Sequence, residues 1–114
     1  MKFALLIYGN EKEWAEASDS EREAAYAAHF RLTGELQSKS ALLIAEELQP
    51  TAAATTLRMA KGEVIVADGP FSETTEHLGG VYIVEARNLD DAISYVRELP
   101  GTIEIRPIVN HPAS

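Results

Sequence analysis

Cysteine is absent from the chain, and this absence removes several kinds of chemistry at once. Without cysteine there are no disulfides, no thiolate nucleophile, and no zinc or iron–sulfur site built on cysteine ligands. Long apolar runs are also missing, since no segment approaches the ~20 apolar residues that a membrane-spanning helix needs. The apolar run at residues 3–8 is too short for the core of a signal peptide. We therefore expect a cytoplasmic protein.

Basic residues are few, with 10 Lys and Arg against 18 Asp and Glu, which gives a formal net charge of -8. Such an acidic surface repels phosphate groups, so the composition disfavours binding to nucleic acid or to anionic membranes. Apolar residues nevertheless make up 46% of the chain, as in globular proteins. The length suits one domain, residues 1–114, whose core needs neither a disulfide nor a structural metal.

The first third of the sequence predicts a strand followed by a long helix. The apolar run 2–8 ends at Gly9-Asn10, which is typical of a buried strand. Residues 18–21 and 20–23 both fit the S-x-x-E capping box, in which serine and glutamate bind the unpaired backbone donors of a helix start. A helix is therefore predicted over 20–37. One apolar face of it consists of Ala25, His29, Leu32 and Leu36, widened by Tyr26 and Phe30.

The remaining chain predicts further strands and a second helix. Asn88 is suited to cap this helix, and Pro100-Gly101 ends it. The stretch 72–77 is polar and has no clear periodicity. The apolar face of the second helix consists of Leu89, Ala92, Ile93, Val96 and Leu99. Apolar runs between turn residues predict strands at 41–48, 55–59, 63–67, 81–86 and 102–109, the second and third forming a hairpin around Ala60-Lys61-Gly62.

The order of these elements, β-α-β-(ββ)-β-α-β, predicts an α+β fold. It corresponds to a ferredoxin-like split βαβ plan with an extra central hairpin. Two helices cover only one face of such a sheet, whereas the apolar strands 2–8 and 81–86 indicate that both faces are buried. A second subunit is the simplest cover for the other face, so we expect a homodimer.

Few residues are candidates for chemistry, and each also has a purely structural explanation. His29, on the apolar helix face, is most often a core residue with one hydrogen-bond partner, but an imidazole also transfers protons near neutral pH. Asp68-Gly69-Pro70-Phe71 is either a turn that closes a strand or a turn that aims the Asp68 carboxylate into a cleft. Arg58 and Arg106 either pair with surface acids or bind an anionic substrate.

The polar stretch 72–77 is similarly open to two interpretations. It is either a solvated loop or the wall of the pocket beside Asp68, through Glu73, Glu76 and His77. The spacing of these three residues lacks a familiar ligand pattern, so no metal site is predicted. The glycines form neither G-x-G-x-x-G nor a P-loop, so no cofactor is predicted either. Trp14 either covers a pocket or packs on the sheet, and His111 is expected in an exposed tail.

The segment from Asp68 to Gly80 resembles the DGPF signature of the YCII-related (DGPF-domain) family. The similarity covers nearly the whole chain and includes residues 5–9, 48–50, 56–58 and 103–108. This sequence has Ser72, Thr75 and Val81 where the family commonly has Ala, Lys and an aromatic residue. The resemblance implies a dimeric α+β barrel, in which two ferredoxin-like subunits pack sheet to sheet.

The resemblance also implies a His–Asp pair as the site, carried here by His29 and Asp68. Related small barrels include lyases, isomerases, a dehalogenase-like enzyme and cofactor-free oxygenases. DGPF-domain proteins also occur beside or fused to sigma factors of the extracytoplasmic-function type. Family membership therefore indicates the fold far better than it indicates the function.

Two functions from different classes follow from this sequence. The first is a metal-free acid–base enzyme acting on a small, partly apolar molecule such as a lactone, an enol or a hydroxylated ring. His29 would move the proton and Asp68 would orient the imidazole. The second is a non-catalytic module that binds a small effector and works with a sigma factor. In either case the residues expected around the ligand are Phe71, Glu73, Glu76, Arg58 and Arg106.

Overall fold

The chain combines strands and helices in a mixed α+β architecture, which confirms the predicted α+β class. The structure is a computed structural model and describes residues 1–112. The N-terminal half contains β1 (Lys2–Gly9), α1 (Glu11–Glu16), α2 (Asp19–Ser38), β2 (Leu42–Glu47) and a 3-10 turn (Thr51–Ala53). The C-terminal half contains β3 (Thr55–Ala60), β4 (Glu63–Asp68), β5 (His77–Glu85), α3 (Leu89–Val96) and β6 (Thr102–Pro107).

Four of the strands form one antiparallel sheet in the order β2-β5-β1-β6. Strand β1 is central and pairs with β5 on one side and β6 on the other, so that Leu5 lies opposite both Tyr82 and Ile105. Strands β3 and β4 form a separate two-stranded hairpin, as the sequence pattern predicts. The hairpin turn is Lys61-Gly62, and both residues have positive φ, 51° and 78°. That geometry is typical of the two-residue hairpin turn in which glycine is favoured at the second position.

The core lies between one face of the four-stranded sheet and the helices α2 and α3. Alternation along β1 and β5 directs every second side chain to this layer, and helix α2 contributes residues one turn apart. The predicted helix-face residues Leu32 and Leu36 are buried there, which confirms the register of that part of α2. The buried residues are Phe3, Leu5, Leu32, Leu36, Ala41, Tyr82, Val84, Ala86 and Ala92.

Both long helices begin where the sequence places a cap. The Ser18 hydroxyl accepts a hydrogen bond from the backbone N–H of Glu21 at 3.1 Å, and the Glu21 carboxylate accepts one from the Ser18 N–H at 3.3 Å. The first of the two candidate capping boxes therefore starts α2, one residue earlier than predicted. Asn88 caps α3 by accepting from the Asp91 N–H at 2.9 Å.

Some features of the fold differ from the predictions. Helix α1 and the 3-10 turn were not predicted, because neither is long enough to show an apolar period. Strand β5 begins at His77, so this residue lies in a strand, opposite Gly9, and not in the polar loop. Phe30 is 70% exposed. At about 100° per residue it projects roughly 140° away from the direction of Leu32 and Leu36, so it cannot widen their face. Tyr26 and Leu89 are exposed as well.

The second face of the sheet is also apolar near its centre. Leu6 lies opposite Val81, and Ala4 lies opposite Ile83. These side chains alternate with the core residues of β1 and β5 and are only partly buried. None of the helices in residues 1–112 has the length and apolar content that crossing a membrane requires.

Candidate functional site

The candidate site is centred on His29 of α2, whose imidazole contacts the hydroxyl group of Tyr82 on β5. The His29 Nδ1 atom lies 2.7 Å from the Tyr82 Oη atom, and the two rings are nearly parallel, with centroids 5.9 Å apart. His29 precedes Leu32 by about one helical turn, and Tyr82 shares a strand face with Val84. Both residues therefore point into the layer between helix and sheet. Tyr82 is buried and His29 is partly buried.

Burial keeps both rings of this pair uncharged. Loss of solvent lowers the pKa of the His29 imidazole, and the nearby Glu47 carboxylate opposes this shift only in part. Burial also raises the pKa of the Tyr82 phenol. Desolvation disfavours the charged form of any group, which accounts for the opposite directions. At neutral pH the site therefore contains a neutral imidazole, which can accept a proton, and a neutral phenol.

A second pair of side chains borders the His29–Tyr82 contact. The Tyr26 hydroxyl donates to the two carboxylate oxygens of Glu47 at 3.0 and 3.2 Å. This carboxylate raises the pKa of the Tyr26 phenol, mainly through the hydrogen bond. Trp14 packs edge-on against Tyr26, with ring centroids 5.5 Å apart. We use "His29 site" for His29, Tyr26, Glu47 and Tyr82.

Small residues lie beside Tyr82 on the side of β2, whereas its neighbour on β1 is Leu5. Ala45 lies opposite Tyr82 on β2, and Gly80 lies opposite Glu47. Gly80 is two residues before Tyr82, so it occupies the next position on the same strand face. Because Gly80 has no side chain, no side chain of β5 projects from the sheet beside Glu47 at this position. Two surface depressions lie elsewhere, one of about 540 Å³ beside Lys39 and Tyr95 and one of about 210 Å³ between α2 and α3.

Asp68, the predicted partner of His29, is the last residue of β4 and pairs with Thr55 in the hairpin. Among the described residues, the hydrogen bond of the His29 imidazole is with Tyr82. The His29–Asp68 pair therefore stays a prediction. The following turn has the geometry that the sequence suggests, because Gly69 has a φ of 98° and its N–H donates to the Ala54 carbonyl at 2.7 Å.

Among the other predicted ligand contacts, the structure brings Arg58 and Phe71 together, whereas Glu76 and Arg106 contact residues outside the predicted set. Arg58 donates to the Phe71 carbonyl at 3.1 Å, and Glu76 accepts from the Thr102 hydroxyl at 3.0 Å. Arg106 forms an exposed ion pair with Glu104 at 3.2 Å. Glu73 and the Phe71 side chain are exposed. These contacts fall into separate groups, so the role of the five residues at a ligand stays a prediction.

His77 belongs to a second histidine–carboxylate pair, with its Nδ1 atom 3.3 Å from a carboxylate oxygen of Glu11. The Glu11 carboxylate also accepts from the Thr51 N–H at 2.9 Å and from the Thr51 hydroxyl. These hydrogen bonds lower the pKa of Glu11. The contacts join α1, the 3-10 turn and the start of β5. The hydrogen bonds of Glu11 to Thr51 therefore tie α1 to the turn that leads into the hairpin, whereas the buried His77 Nδ1 atom has no hydrogen-bond partner among the described residues.

Sequence reasoning identified His29 but missed Tyr82 and Glu47 as its neighbours. Tyr82 had a detectable signal, since a tyrosine between Val81 and Ile83 in an apolar strand needs a hydrogen-bond partner for its hydroxyl when buried. His29 was the titratable residue predicted on the inner helix face. Glu47 had no such signal, because its position beside His29 depends on the pairing of β2 with β5.

Comparison with known proteins places the whole of this architecture in one family. The family model for the YCII-related domain matches residues 1–111. An uncharacterized protein of Rhizobium meliloti (strain 1021) is 35% identical to this chain, in an alignment that covers 95% of this chain and 92% of that protein. The chain therefore belongs to the YCII-related family, as the segment from Asp68 to Gly80 indicated.

Proposed function

We propose that this chain is a homodimeric small-molecule-pocket protein that performs metal-free acid–base chemistry at His29. The observation that supports the proposal is the 2.7 Å contact between His29 Nδ1 and Tyr82 Oη inside a partly buried layer. This contact fixes the imidazole ring, and burial keeps it neutral. A fixed, neutral imidazole is the usual proton acceptor of enzymes that work near neutral pH.

In the proposed tautomer, His29 Nδ1–H donates to Tyr82 Oη, and the lone pair of Nε2 accepts a proton from the substrate. The proton comes from a carbon beside a carbonyl group, and the electron pair of the broken C–H bond forms an enolate. The imidazolium then returns the proton to a different carbon, which gives an isomerisation. In an elimination, the enolate instead forms a C=C bond as the bond from the β-carbon to the leaving group breaks, and the leaving group takes the proton. Because both ring nitrogens are then occupied, Asp68, which the family resemblance assigns to orienting the imidazole, is proposed to act through the Tyr82 hydroxyl by accepting its proton in a hydrogen bond.

The surroundings of His29 favour a neutral, partly apolar substrate. The Glu47 carboxylate lies close enough to influence the pKa of His29, and it would repel a substrate anion. Tyr26 and Phe30 stack with ring centroids 6.2 Å apart and provide an aromatic surface beside the site. A lactone, an enolisable ketone or a hydroxylated ring fits these conditions. Phe71, Glu73, Glu76, Arg58 and Arg106 are proposed as further contacts, also on the family resemblance.

The proposed assembly is a dimeric α+β barrel of two ferredoxin-like subunits. The strand order β2-β5-β1-β6, with a helix after β1 and another after β5, is compatible with that plan. The partly exposed apolar centre of the second sheet face, around Leu6, Val81 and Ile83, supports packing of one sheet against another.

The test is exchange of solvent deuterium into small carbonyl compounds, followed by mass spectrometry. A panel of lactones and enolisable ketones is incubated with the protein in D₂O. We expect faster exchange with the unchanged chain, loss of this acceleration in His29→Gln, and full retention in His111→Gln. The second variant is a matched control, because His111 is exposed near the C-terminus. Asp68→Asn tests the orienting role separately.

The alternative function, a ligand-binding or regulatory module, gives a different result. A panel compound would then shift the imidazole resonances of His29 in NMR spectra without any acceleration of deuterium exchange. That outcome would remove the acid–base proposal and retain the pocket. Absence of both exchange and binding across the panel would contradict a small-molecule site at His29.

A further inference from the structure

The hairpin formed by β3 and β4, here called the arm (residues 55–68), presents an apolar face that the rest of residues 1–112 leaves exposed. Leu57 lies opposite Val66, and Met59 lies opposite Val64. Directly opposed residues of an antiparallel pair share one face, so these four side chains form a continuous patch. Their exposed fractions are 61, 61, 66 and 55% respectively. We call this patch the arm face.

The opposite face of the arm has a different composition. There Arg58 lies opposite Ile65, and Ala60 lies opposite Glu63. One apolar face and one mixed face are typical of an antiparallel pair that is buried on one side only. An isolated two-stranded hairpin is at best marginally stable in water unless it packs on something else. The arm therefore has the pattern of an element whose partner lies outside the chain.

The shape of the chain gives the size of that missing partner surface. Its extents are 48 × 47 × 18 Å and its radius of gyration is 16.4 Å, against about 13 Å for a compact chain of this length. The accessible surface is 8333 Å², about 2,200 Å² above the roughly 6,100 Å² of a compact monomer of this mass. Stable homodimers bury about 1,000–2,500 Å² per chain, which matches this excess.

We infer that the arm docks through the arm face on a second copy of this chain, with the two arms related by a twofold axis. The inference rests on the homodimer of the proposed function and adds the element that holds it together. A nucleic acid or an anionic membrane does not fit, because the net charge is -8 and the arm face contains no cation. Asp68 is the last residue of the arm and Phe71 lies just after it, so arm docking also brings the DGPF turn to the dimer interface.

The experiment compares two lysine substitutions at neighbouring positions of β4, Val66→Lys on the arm face and Ile65→Lys on the opposite face. The dissociation constant of the dimer is measured by sedimentation equilibrium. We expect the unchanged chain to have twice its mass of 12.4 kDa. Val66→Lys should raise the dissociation constant at least ~30-fold, the effect of losing an interface hot spot. Ile65→Lys should change it by no more than about twofold.

Circular dichroism checks that both variants fold, and Val66→Thr replaces Val66→Lys if the lysine variant does not. Threonine keeps the β-branched shape of valine but adds a hydroxyl group to the arm face. Equal dissociation constants for the two lysine variants would overturn the arm as the dimer element and leave sheet-to-sheet packing as the explanation. A monomeric unchanged chain would overturn the second copy as occupant and point to a different protein. Neither result alters the deuterium-exchange test, which measures proton transfer and not mass.

Discussion

Two regions of the molecule contain the same kinds of side chain in opposite environments. One is the core layer, between α2 and the sheet, and the other is the arm. Leu5, Leu36 and Val84 of the layer are fully buried, whereas Leu57 and Val66 of the arm are mostly exposed. Both regions have regular backbone pairing, and both contain alternating apolar residues. The difference shows that an apolar pattern indicates which side chains will be buried, but not whether the same chain buries them.

The largest effect that would sharpen this comparison is expected from Leu36→Ala. Leu36 is fully buried in the core, and removing such a leucine side chain lowers the free energy of unfolding by about 2–5 kcal/mol. The same substitution in the arm, Leu57→Ala, should change the stability of the dilute, monomeric chain by no more than about 0.5 kcal/mol. Urea unfolding followed by circular dichroism measures both values.

The concentration dependence of the same measurement adds a second criterion. If a partner copy buries Leu57, the cost of Leu57→Ala grows as the protein concentration rises, since association stabilises the folded chain by mass action. The cost of Leu36→Ala should not follow concentration in this way. If Leu57→Ala and Leu36→Ala lowered the free energy of unfolding of the dilute chain equally, the arm would pack within its own chain.

The next effect concerns one glycine in each region. Gly101, between α3 and β6, has a φ of 92°, and a Cβ atom there would lie 2.9 Å from the Tyr8 carbonyl oxygen. Gly62, in the arm turn, has a φ of 78° and open space around its Cα. Gly62→Ala should cost about 1–2 kcal/mol, the conformational cost of a side chain in this region. Gly101→Ala should cost more, because the close contact adds to the same conformational cost.

Thermal unfolding shows which of the two alanine variants is less stable. We expect Gly101→Ala to lower the melting temperature by more than Gly62→Ala does. The reverse order would show that the arm turn is under tighter constraint than the start of β6. In that case the arm contributes more to the stability of the folded chain than the exposure of its side chains indicates.

Local signals made most of the fold predictable from sequence. The capping box at Ser18, the Asn88 cap, the Lys61-Gly62 turn and the apolar alternation of β1 each depend on residues close together in the chain, so a single sequence contains them. Helix α1 was missed because one and a half turns contain too few residues to show a period. The start of β5 at His77 was missed because its pairing with Gly9 is not a local property.

The candidate site was less predictable than the fold, for the same physical reason. His29 was identifiable from its position on a helix face. Its contact with Tyr82 joins residues 53 positions apart, and the hydrogen bond of Tyr26 to Glu47 joins residues 21 apart. Such contacts depend on strand order and register, which a single sequence does not encode in any local pattern.

A smaller effect is expected from the helix cap that begins α2. Ser18→Ala removes the hydroxyl that accepts from the Glu21 N–H and should lower the free energy of unfolding by about 1 kcal/mol. Ser20→Ala is the comparison variant, since Ser20 belongs to the second candidate capping box and lies just inside the helix, where its hydroxyl contacts that of Ser18 at 3.2 Å but caps no backbone N–H. We expect Ser20→Ala to have little effect. A larger loss in Ser20→Ala would show that α2 begins at the second box in solution.

The smallest effect is a pH dependence that separates the core layer from the arm. The folded chain has a lowered His29 pKa, below its ordinary value of 6.5, because burial disfavours the imidazolium. Below pH 6.5 the unfolded chain therefore binds more protons at His29 than the folded chain does. Stability is fully present above 6.5 and declines as the pH falls from there through the folded pKa. Glu11 and Asp91 also have lowered pKa values, but their windows lie below 4.5 and 3.8.

Urea unfolding at a series of pH values, starting above neutrality and ending before the carboxylates titrate, measures this decline. We expect His29→Gln to flatten it and His111→Gln to leave it unchanged. A decline of the same size in His29→Gln would mean that another group causes it, and the neutral, buried imidazole would then have no support. Since the arm contains no histidine, the ratio of the dimer dissociation constants of Val66→Lys and Ile65→Lys should stay constant over the same pH range. A change in that ratio would show that protonation of His29 reaches the arm, and that the two regions are coupled.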